Sequence, residues 1–493
     1  MASIPGSQFD ATTTGLPVNV VETAGGSLPP TVPGAFNLEV WIGPPGTAPS
    51  TPAPGYQGLA ILGAGGQELT LVSGAFEVTD NGTGNDTLIA NGSNETISGG
   101  SANVTLTLNG SGDVANGGGQ DTITVYGFGD TVNGSGNDLI SLFGAGNVVN
   151  GGTGNDTIQV YSNNNTINGG SGPETIALFG TGEVVQAGSG ADTITAYNAN
   201  TSITGGTGPA TITSFGWNSS ITGGAIADTI TAYGWYDTIV GTSGADSINA
   251  AGSYATITGG SGADTINISG LYDTASSGSG PDTVNVSGVF DSVTGGSGAD
   301  SISVTGVFNT VSGGSGPDTI SVSGWGNSVV GGSGDASIGV TGGGTTVVGG
   351  SGADTIDVSG VLDSVTGGAG PDVIGVSGIL GAVYTGTGSD TVNVSGLFDT
   401  VESGTQGTGT TAQVNLSGSF TTFVDGPNTY SDTIAGFSQG AGDTIHLTGG
   451  NTASFAVANA TPQNGGADTL ITLNDGSTIL LKGVTHIDQS FFS

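Results

Sequence analysis

The sequence predicts an all-β solenoid, a stack of short coils wound from one repeated unit. A glycine-aspartate loop recurs down the chain, reading Gly-Gly-Ser-Gly-Ala-Asp at 259–264 and 295–300, and Gly-Gly-Ser-Gly-Pro-Asp at 313–318. Its aspartates fall at 246, 264, 282, 300, 318, 354, 372 and 390, always 18 residues apart or a multiple of it. A weaker series, Asp237, Asp273, Asp291, Asp363 and Asp399, lies nine residues after strong ones. A nine-residue half-period inside an eighteen-residue period is the mark of a solenoid.

Each unit has the form Gly-Gly-x-Gly-x-Asp-x-U-x with U apolar, as in Gly-Gly-Ser-Gly-Ala-Asp-Thr-Ile-Asn at 259–267. This resembles the nonapeptide of the repeats-in-toxin (RTX) family, over roughly residues 82–402. The resemblance implies a right-handed parallel β-roll of ~18-residue coils that binds Ca²⁺ in its turns. It also implies likeness to extracellular structural proteins of the surface-layer (S-layer) type.

The residue chemistry agrees. Ca²⁺ takes six to eight oxygens at ~2.3–2.6 Å from carboxylates and backbone carbonyls, and glycine turns can aim several carbonyls at one point. Coils stacked ~4.8 Å apart let neighbouring loops share an ion. Bare carboxylates ~5 Å apart repel by about 3 kcal/mol at an effective dielectric near 20, so the roll is expected to be loose or unfolded until calcium arrives. The expected ligands are Asp86, Asp121, Asp138, Asp156, Glu174, Asp192, Asp228, Asp246, Asp264, Asp282, Asp300, Asp318, Asp354, Asp372 and Asp390. Ala210 and Ala336 interrupt the row, with Asp335 one place early as a possible substitute for the second. Weak loops such as Val-Ser-Gly-Val-Phe-Asp (286–291) put bulky residues where glycines belong. Calcium is therefore expected along one edge and side-chain packing along the other.

Composition narrows the function. The 493 residues carry a net charge of −38 and a single Lys or Arg, Lys482. Nucleic acid is excluded as a partner because phosphate neutralisation needs Lys and Arg, and anionic membrane surfaces are disfavoured for the same reason. The acidity also fits a salt-adapted protein, but only 8% of residues are charged and most aspartates occupy loop positions, so they read as metal ligands. With no cysteine there is neither disulfide nor thiol chemistry. The N-terminus lacks the basic and apolar regions of a secretory signal, and no stretch approaches the ~20 apolar residues of a membrane span.

In chain order, residues 1–80 form a proline-rich N-terminal segment. In it Phe36-Asn-Leu-Glu-Val-Trp-Ile42 alternates like a strand. It either packs on the first coil or serves as an assembly arm that adds a strand to a neighbouring molecule. Glu68-Leu-Thr-Leu-Val and Ala75-Phe-Glu-Val-Thr read as strands leading into the roll. Residues 81–402 form the roll itself, irregular at first, where Glu95, Val104, Asp113 and Asp121 take the aspartate position. About seventeen coils at ~4.8 Å give a rod on the order of 80 Å. Aromatic residues recur at Tyr126, Phe143, Tyr161, Phe179, Tyr197, Phe215 and Tyr233, then at Tyr272, Phe290, Phe308 and Phe398. They either cover the edge of the roll or form a stripe for lateral assembly. Alternate Thr, Asn and Ser, as in Asp-Thr-Val-Asn-Val-Ser (282–287), face solvent. Such rows are ordinary β-roll surface, or a surface that binds ice or carries O-linked sugars.

The period breaks after Glu402, and residues 403–493 are expected to form a C-terminal β cap. Residues 431–448 and 480–493 resemble the segments that follow the roll in RTX proteins, including their C-terminal signal for type I secretion. The partners this implies are calcium, the type I secretion machinery and other copies of the chain, at an extracellular or cell-surface location. No catalytic constellation is visible: His446 and His486 each sit in a strand pattern, and neither an HExxH zinc motif nor a Gly-x-Ser-x-Gly elbow occurs. The chain thus reads as a non-enzymatic, secreted, self-assembling structural protein of a filament or surface layer. The alternative is an adhesin or an ice- or glycan-binding module that uses the Thr, Ser and Asn rows.

Overall fold

A computed structural model of the chain describes residues 18–23, 28, 30–41, 53–61, 68–71, 77–80, 84–404, 411–426 and 431–493. The N-terminal eight residues, Pro29, Pro44, Pro45, Pro49 and Pro52, and most of the Gly-Thr run after Ser403 lie outside them. The chain divides into two compact units, Met1–Gly244 and Ala245–Ser493.

Both units are parallel β-roll. Odd and even half-coils build two facing sheets in which each strand pairs with its equivalent one coil on. In the second unit Thr265–Ile268 pairs in parallel with Thr283–Val286, and that strand with Ser301–Val304. On the facing sheet Thr274–Gly278 pairs with Ser292–Gly296, and that with Thr310–Gly314. The register is eighteen residues at every one of these steps, and parallel crossovers of this kind wind right-handed.

The strands are short because the core between the sheets is thin. Alternation aims every second residue inward, giving rows such as Ile266, Val284, Ile302 and Ile320 on one sheet and Val293, Val311, Val329 and Val347 on the other, all buried. β-branched side chains suit these positions because their fixed χ1 matches the pleat. The outward residues Thr265, Thr283, Ser301 and Thr319 stand directly beside one another. Some outward rows are hydrogen-bonded into ladders: the amides of Asn168, Asn150 and Asn133 each donate to the next Asn, ending on Asn116, at 2.8 Å per step.

The glycine pairs explain how tightly coils stack. Gly314 has φ +113°, and a β-carbon there would lie 2.8 Å from the Gly296 nitrogen and 2.9 Å from its carbonyl carbon. Only glycine fits such a conformation against such a neighbour.

Parallel pairing continues back through Glu77–Asp80 and Gly58–Ile61 to Phe36–Trp41 and Val18–Thr23. Phe36–Trp41 is hydrogen-bonded on both sides within its own chain and is almost wholly buried. In this arrangement both of its edges are occupied by strands of its own chain. At the other end, Ser431–Ala435 pairs in parallel with Thr478–Lys482, which turns antiparallel to Asp468–Thr472 and then Ala460–Gln463. A short helix, Ala453–Ala458, is capped by the Thr452 hydroxyl. This antiparallel hairpin covers the last parallel strand, which would otherwise offer an open edge. No helix among the described residues is long and apolar enough to cross a membrane.

Candidate metal ladders

Each coil turns twice, and most turns place one polar residue inward between the sheets. At the first edge this residue precedes the strand that begins the coil, as Asp282 precedes Thr283–Val286. All fifteen expected ligands, from Asp86 to Asp390, are buried at this edge. Their arrangement is directional. Asp264 Oδ1 accepts the Asp246 N–H, Asp282 Oδ1 that of Asp264, Asp300 Oδ1 that of Asp282, and Asp318 Oδ1 that of Asp300, at 2.8–2.9 Å. The same link joins Asp121 to Asp138, Asp138 to Asp156, Glu174 to Asp192, and Asp354 through Asp372 to Asp390. One oxygen of each carboxylate thus replaces a strand hydrogen bond lost at the turn.

The other oxygen has no such task. In Asp138, Asp156, Asp192, Asp264, Asp282, Asp300, Asp318, Asp354 and Asp372, Oδ2 is buried and receives no hydrogen bond. It faces a small cradle left by the glycine five residues earlier. A β-carbon on Gly367 would sit 2.6 Å from Asp372 Oδ2 and 2.5 Å from the Thr385 carbonyl oxygen of the next coil; on Gly349 it would be 2.5 Å from Asp354 Oδ2 and 2.4 Å from the Gly367 carbonyl. Carboxylate and carbonyl oxygens facing one point repel unless a proton or cation lies between them. Among the described residues no three His, Cys, Asp or Glu side chains converge. The donor set is therefore one or two carboxylates plus carbonyls, which suits Ca²⁺ and not a transition metal. When bound, the ion would supply charge neutralisation and cross-link adjacent coils, and the chain's own aspartates and glycine carbonyls would hold it.

Metal-free, several of these carboxyls resist ionisation. Burial pushes Asp156, Asp300 and Asp390 up to about 6 and Asp372 to about 7, and at Asp156, Asp300 and Asp372 repulsion from ladder neighbours adds to it. Glu174 is raised further by the same desolvation, with Asp192 beside it adding to the shift.

At the two gaps the ladder breaks as the missing ligands require. The Ala210 and Ala336 N–H groups still donate, to Asp228 Oδ1 and to Asp354 Oδ1. Below Ala210, however, the Asp192 N–H turns to the Pro209 carbonyl, 3.1 Å away. Asp335 does not stand in for Ala336: it is exposed and accepts the Ala353 N–H. Asp432, beyond the predicted roll, takes the Ala412 N–H at 2.8 Å and continues the first edge. The Ser431-Asp-Thr-Ile motif, a copy of the loop exit, was the signal for it.

The second edge departs from the sequence expectation of a packed seam. Glu95, Asp113 and Asp130, not first-edge residues at all, begin a second inward row in which Asp113 Oδ1 accepts from Glu95 and Asp130 Oδ1 from Asp113. It continues through Asn147, Asn165 and Glu183, and in the second unit through Asp273, Asp291, Asn309 and Asn327. Its turns do aim carbonyls inward, as the asparagines reveal. Asn147 Nδ2 donates to Gly144 O at 2.8 Å and Gly127 O at 3.2 Å, and Asn309 and Asn327 donate to Gly288 O and Gly306 O, each at 3.2 Å. Where aspartate replaces asparagine, Oδ2 is buried with no donor, as in Asp273 and Asp291, both raised to about 6 by burial. Replacing Asp291 by Asn is accordingly expected to stabilise the calcium-free protein by about 1–3 kcal/mol, because an amide donor then meets the carbonyl. Urea melts in chelator would read this as a higher midpoint, and an unchanged or lower midpoint would count against it.

Packing is present at this edge as well, in two separate registers. Tyr126, Phe143, Tyr161, Phe179, Tyr197, Phe215 and Tyr233 follow the strands directly and stack with ring centroids 4.9–5.5 Å apart. Tyr272, Phe290, Phe308 and Phe398 instead occupy the left-handed position of the turn, at φ 58–63°. The sequence carried the signal, since Tyr233 to Tyr272 is not a multiple of eighteen. A left-handed conformation costs a bulky residue about 1–2 kcal/mol. It is offset here by ring stacking, 5.0 Å between Tyr272 and Phe290, and by N–H bonds from Tyr272 to Val289 O and from Phe290 to Val307 O.

Nothing in this arrangement resembles a catalytic centre. His446 and His486 are exposed, and His446 Nδ1 lies 3.0 Å from the Ser493 carbonyl. A shallow groove of about 350 Å³ on one sheet face of the second unit is lined by Gly339, Asp357, Gly375 and four hydroxyl side chains. It holds a single carboxylate and no second acid or base.

The comparisons with known proteins agree with the ladders. Residues 82–106, 143–173, 179–212, 222–252, 237–266, 276–306 and 340–374 match the RTX calcium-binding nonapeptide repeat (4 copies). No curated protein matches the chain in sequence. Among solved structures, the extracellular lipase LipA from Serratia marcescens is similar at 18% identity and a TM-score of 0.21, over 47% of this chain and 40% of the lipase. The chain therefore spans less than half of that protein's length, and so weak a likeness bears on neither fold nor activity. These stretches of the chain match the RTX calcium-binding nonapeptide repeat, and they fold as a parallel β-roll with inward carboxylate ladders.

Proposed function

We propose that this is a secreted, non-enzymatic structural protein that binds calcium along the first edge, folds outside the cell and assembles with copies of itself into an extracellular filament or surface layer. The observation that carries this reading is the run of buried Oδ2 atoms without donors through both units. Such a fold is incomplete without a cation, which makes folding dependent on the calcium-rich exterior. Export by a type I machinery through the segment 480–493 belongs to the same reading. Support for a structural role comes from the share of the described residues that is roll.

A second reading, an ice- or glycan-binding module, draws on uncharged columns such as Thr193, Thr211 and Thr229, which stand in register on one sheet face. Negative-stain electron microscopy of the purified protein with and without millimolar calcium separates the two. Ordered filaments or sheets that need calcium are the expected result. Dispersed particles under both conditions would sink the assembly reading and favour the second.

A further inference from the structure

The seven-ring ladder of the first unit has a property that edge covering does not require. Its rings alternate strictly, Tyr at both ends and Phe179 at the centre, so the row reads the same in either direction. Stacking satisfies the ring faces but leaves the edges bare: these residues remain 38–51% exposed. Phe128, Trp217 and Trp235, in the same set of turns, are about 60% exposed. At roughly 200 Å² per aromatic side chain the bare surface is on the order of 1,000 Å². The largest apolar patch on an ordinary monomer is ~300–600 Å², and a stable interface needs ~800 Å² from each partner.

The surface is also free of charge. The acids nearest in sequence, Asp130, Glu183 and Asp237, point inward and are buried. The net charge of −38 therefore does not oppose contact at this stripe. A lipid surface is a poor occupant, because the single cation of the chain, Lys482, lies in the other unit.

We propose that this stripe is where two copies of the chain meet, edge to edge about a two-fold axis, with Phe179 of one copy against Phe179 of the other. The proposal rests on the self-assembly reading and names one of its contact surfaces, the one that pairs copies before any further contact extends the assembly. A two-fold axis at Phe179 sets tyrosine opposite tyrosine and phenylalanine opposite phenylalanine. Each phenol is both donor and acceptor, so facing hydroxyls pair. A slip of one coil would press tyrosine hydroxyls against phenyl edges and leave unpaired those with no partner in their own chain; Tyr161 Oη already donates to Gln159 Oε1 at 2.9 Å and brings its acceptor side to the contact. Such a contact is isologous and closed.

The chain has no cysteine, so Phe179→Cys carries the sole thiol. In calcium, with a bis-maleimide long enough to bridge two facing ring lengths, this variant is expected to cross-link to a dimer at least tenfold faster than Thr193→Cys, an exposed strand position outside the stripe; a direct disulfide cannot span facing rings. Equal rates, or no cross-link, would overturn the proposal. In parallel, the triple variant Phe143→Ser, Phe179→Ser, Phe215→Ser is expected to weaken self-association at least 100-fold by sedimentation, with its calcium-dependent circular dichroism retained. Filaments or sheets that persist in the triple variant overturn the stripe and leave assembly standing. A wild-type protein that stays monomeric in calcium overturns both.

Discussion

Chelating calcium at pH 7.5 is expected to abolish the β-sheet circular-dichroism signal and expand the chain, and restoring calcium is expected to reverse both. The five aspartates Asp156, Asp237, Asp273, Asp291 and Asp300 sit at about 6 in the metal-free fold. Ionising a carboxyl whose pKa is raised two units costs about 3 kcal/mol at neutral pH. Together these five cost on the order of 10–15 kcal/mol, comparable to the whole stability of an ordinary domain. Further buried ladder carboxylates add to this. Titrating calcium back should give one cooperative transition, since each ion would span two coils. A chelated protein that keeps its full signal and compactness at pH 7.5 would contradict the account.

Acidifying the chelated protein is expected to refold it, the opposite of ordinary acid denaturation. Burial raises the folded-state pKa values to about 6 for the five aspartates above and about 7 for Glu183 and Asp372. The unfolded chain releases the same protons near 4. The folded state therefore binds more protons across this window, and its stability is present below pH ~4 and lost as pH rises toward ~7. Thermal melts in chelator at pH 4.5, 5.5 and 6.5 should show Tm falling at each step, with no folded state left to melt at pH 7.5. In calcium the order should invert, because protons then compete with the ion for Oδ2. Equal melting temperatures at pH 4.5 and 7.5 in chelator would dismiss the ladder as the source of instability.

The period, the core rows and the first ladder were legible because each is written in residue type at fixed spacing. Asp264, Asp282, Asp300 and Asp318 could be placed side by side from sequence alone, and the structure finds each bonded to the last. The second ladder was not legible as such. Val289 and Phe290 stand where glycine was expected, and their side chains argue against a left-handed turn. Phe290 adopts one, with φ 63°, because stacking on Tyr272 and Phe308 and an N–H bond to the next coil outweigh its local preference. Cooperation between coils of this kind has no trace in a single repeat. The Asn147, Asn309 and Asn327 variants of the weak loop were the available clue, since an inward amide needs an acceptor. Phe36–Trp41 was ambiguous for a different reason. An alternating strand looks the same whether its partners are in its own chain or another, and only the register with Val18–Thr23 and Gly58–Ile61 decides.

Most of the acidic residues lie in the interior rows, while the outer faces are hydroxyl, amide and aromatic. Unloaded, the chain is a polyelectrolyte whose segments and whose copies repel one another. Loaded, the same covalent chain would lose much of that charge, its counterions held between the coils. Calcium would thereby switch off colloidal repulsion at the moment it completes the fold. Dispersal during transit and cohesion on arrival would then follow from one binding event, with no separate trigger.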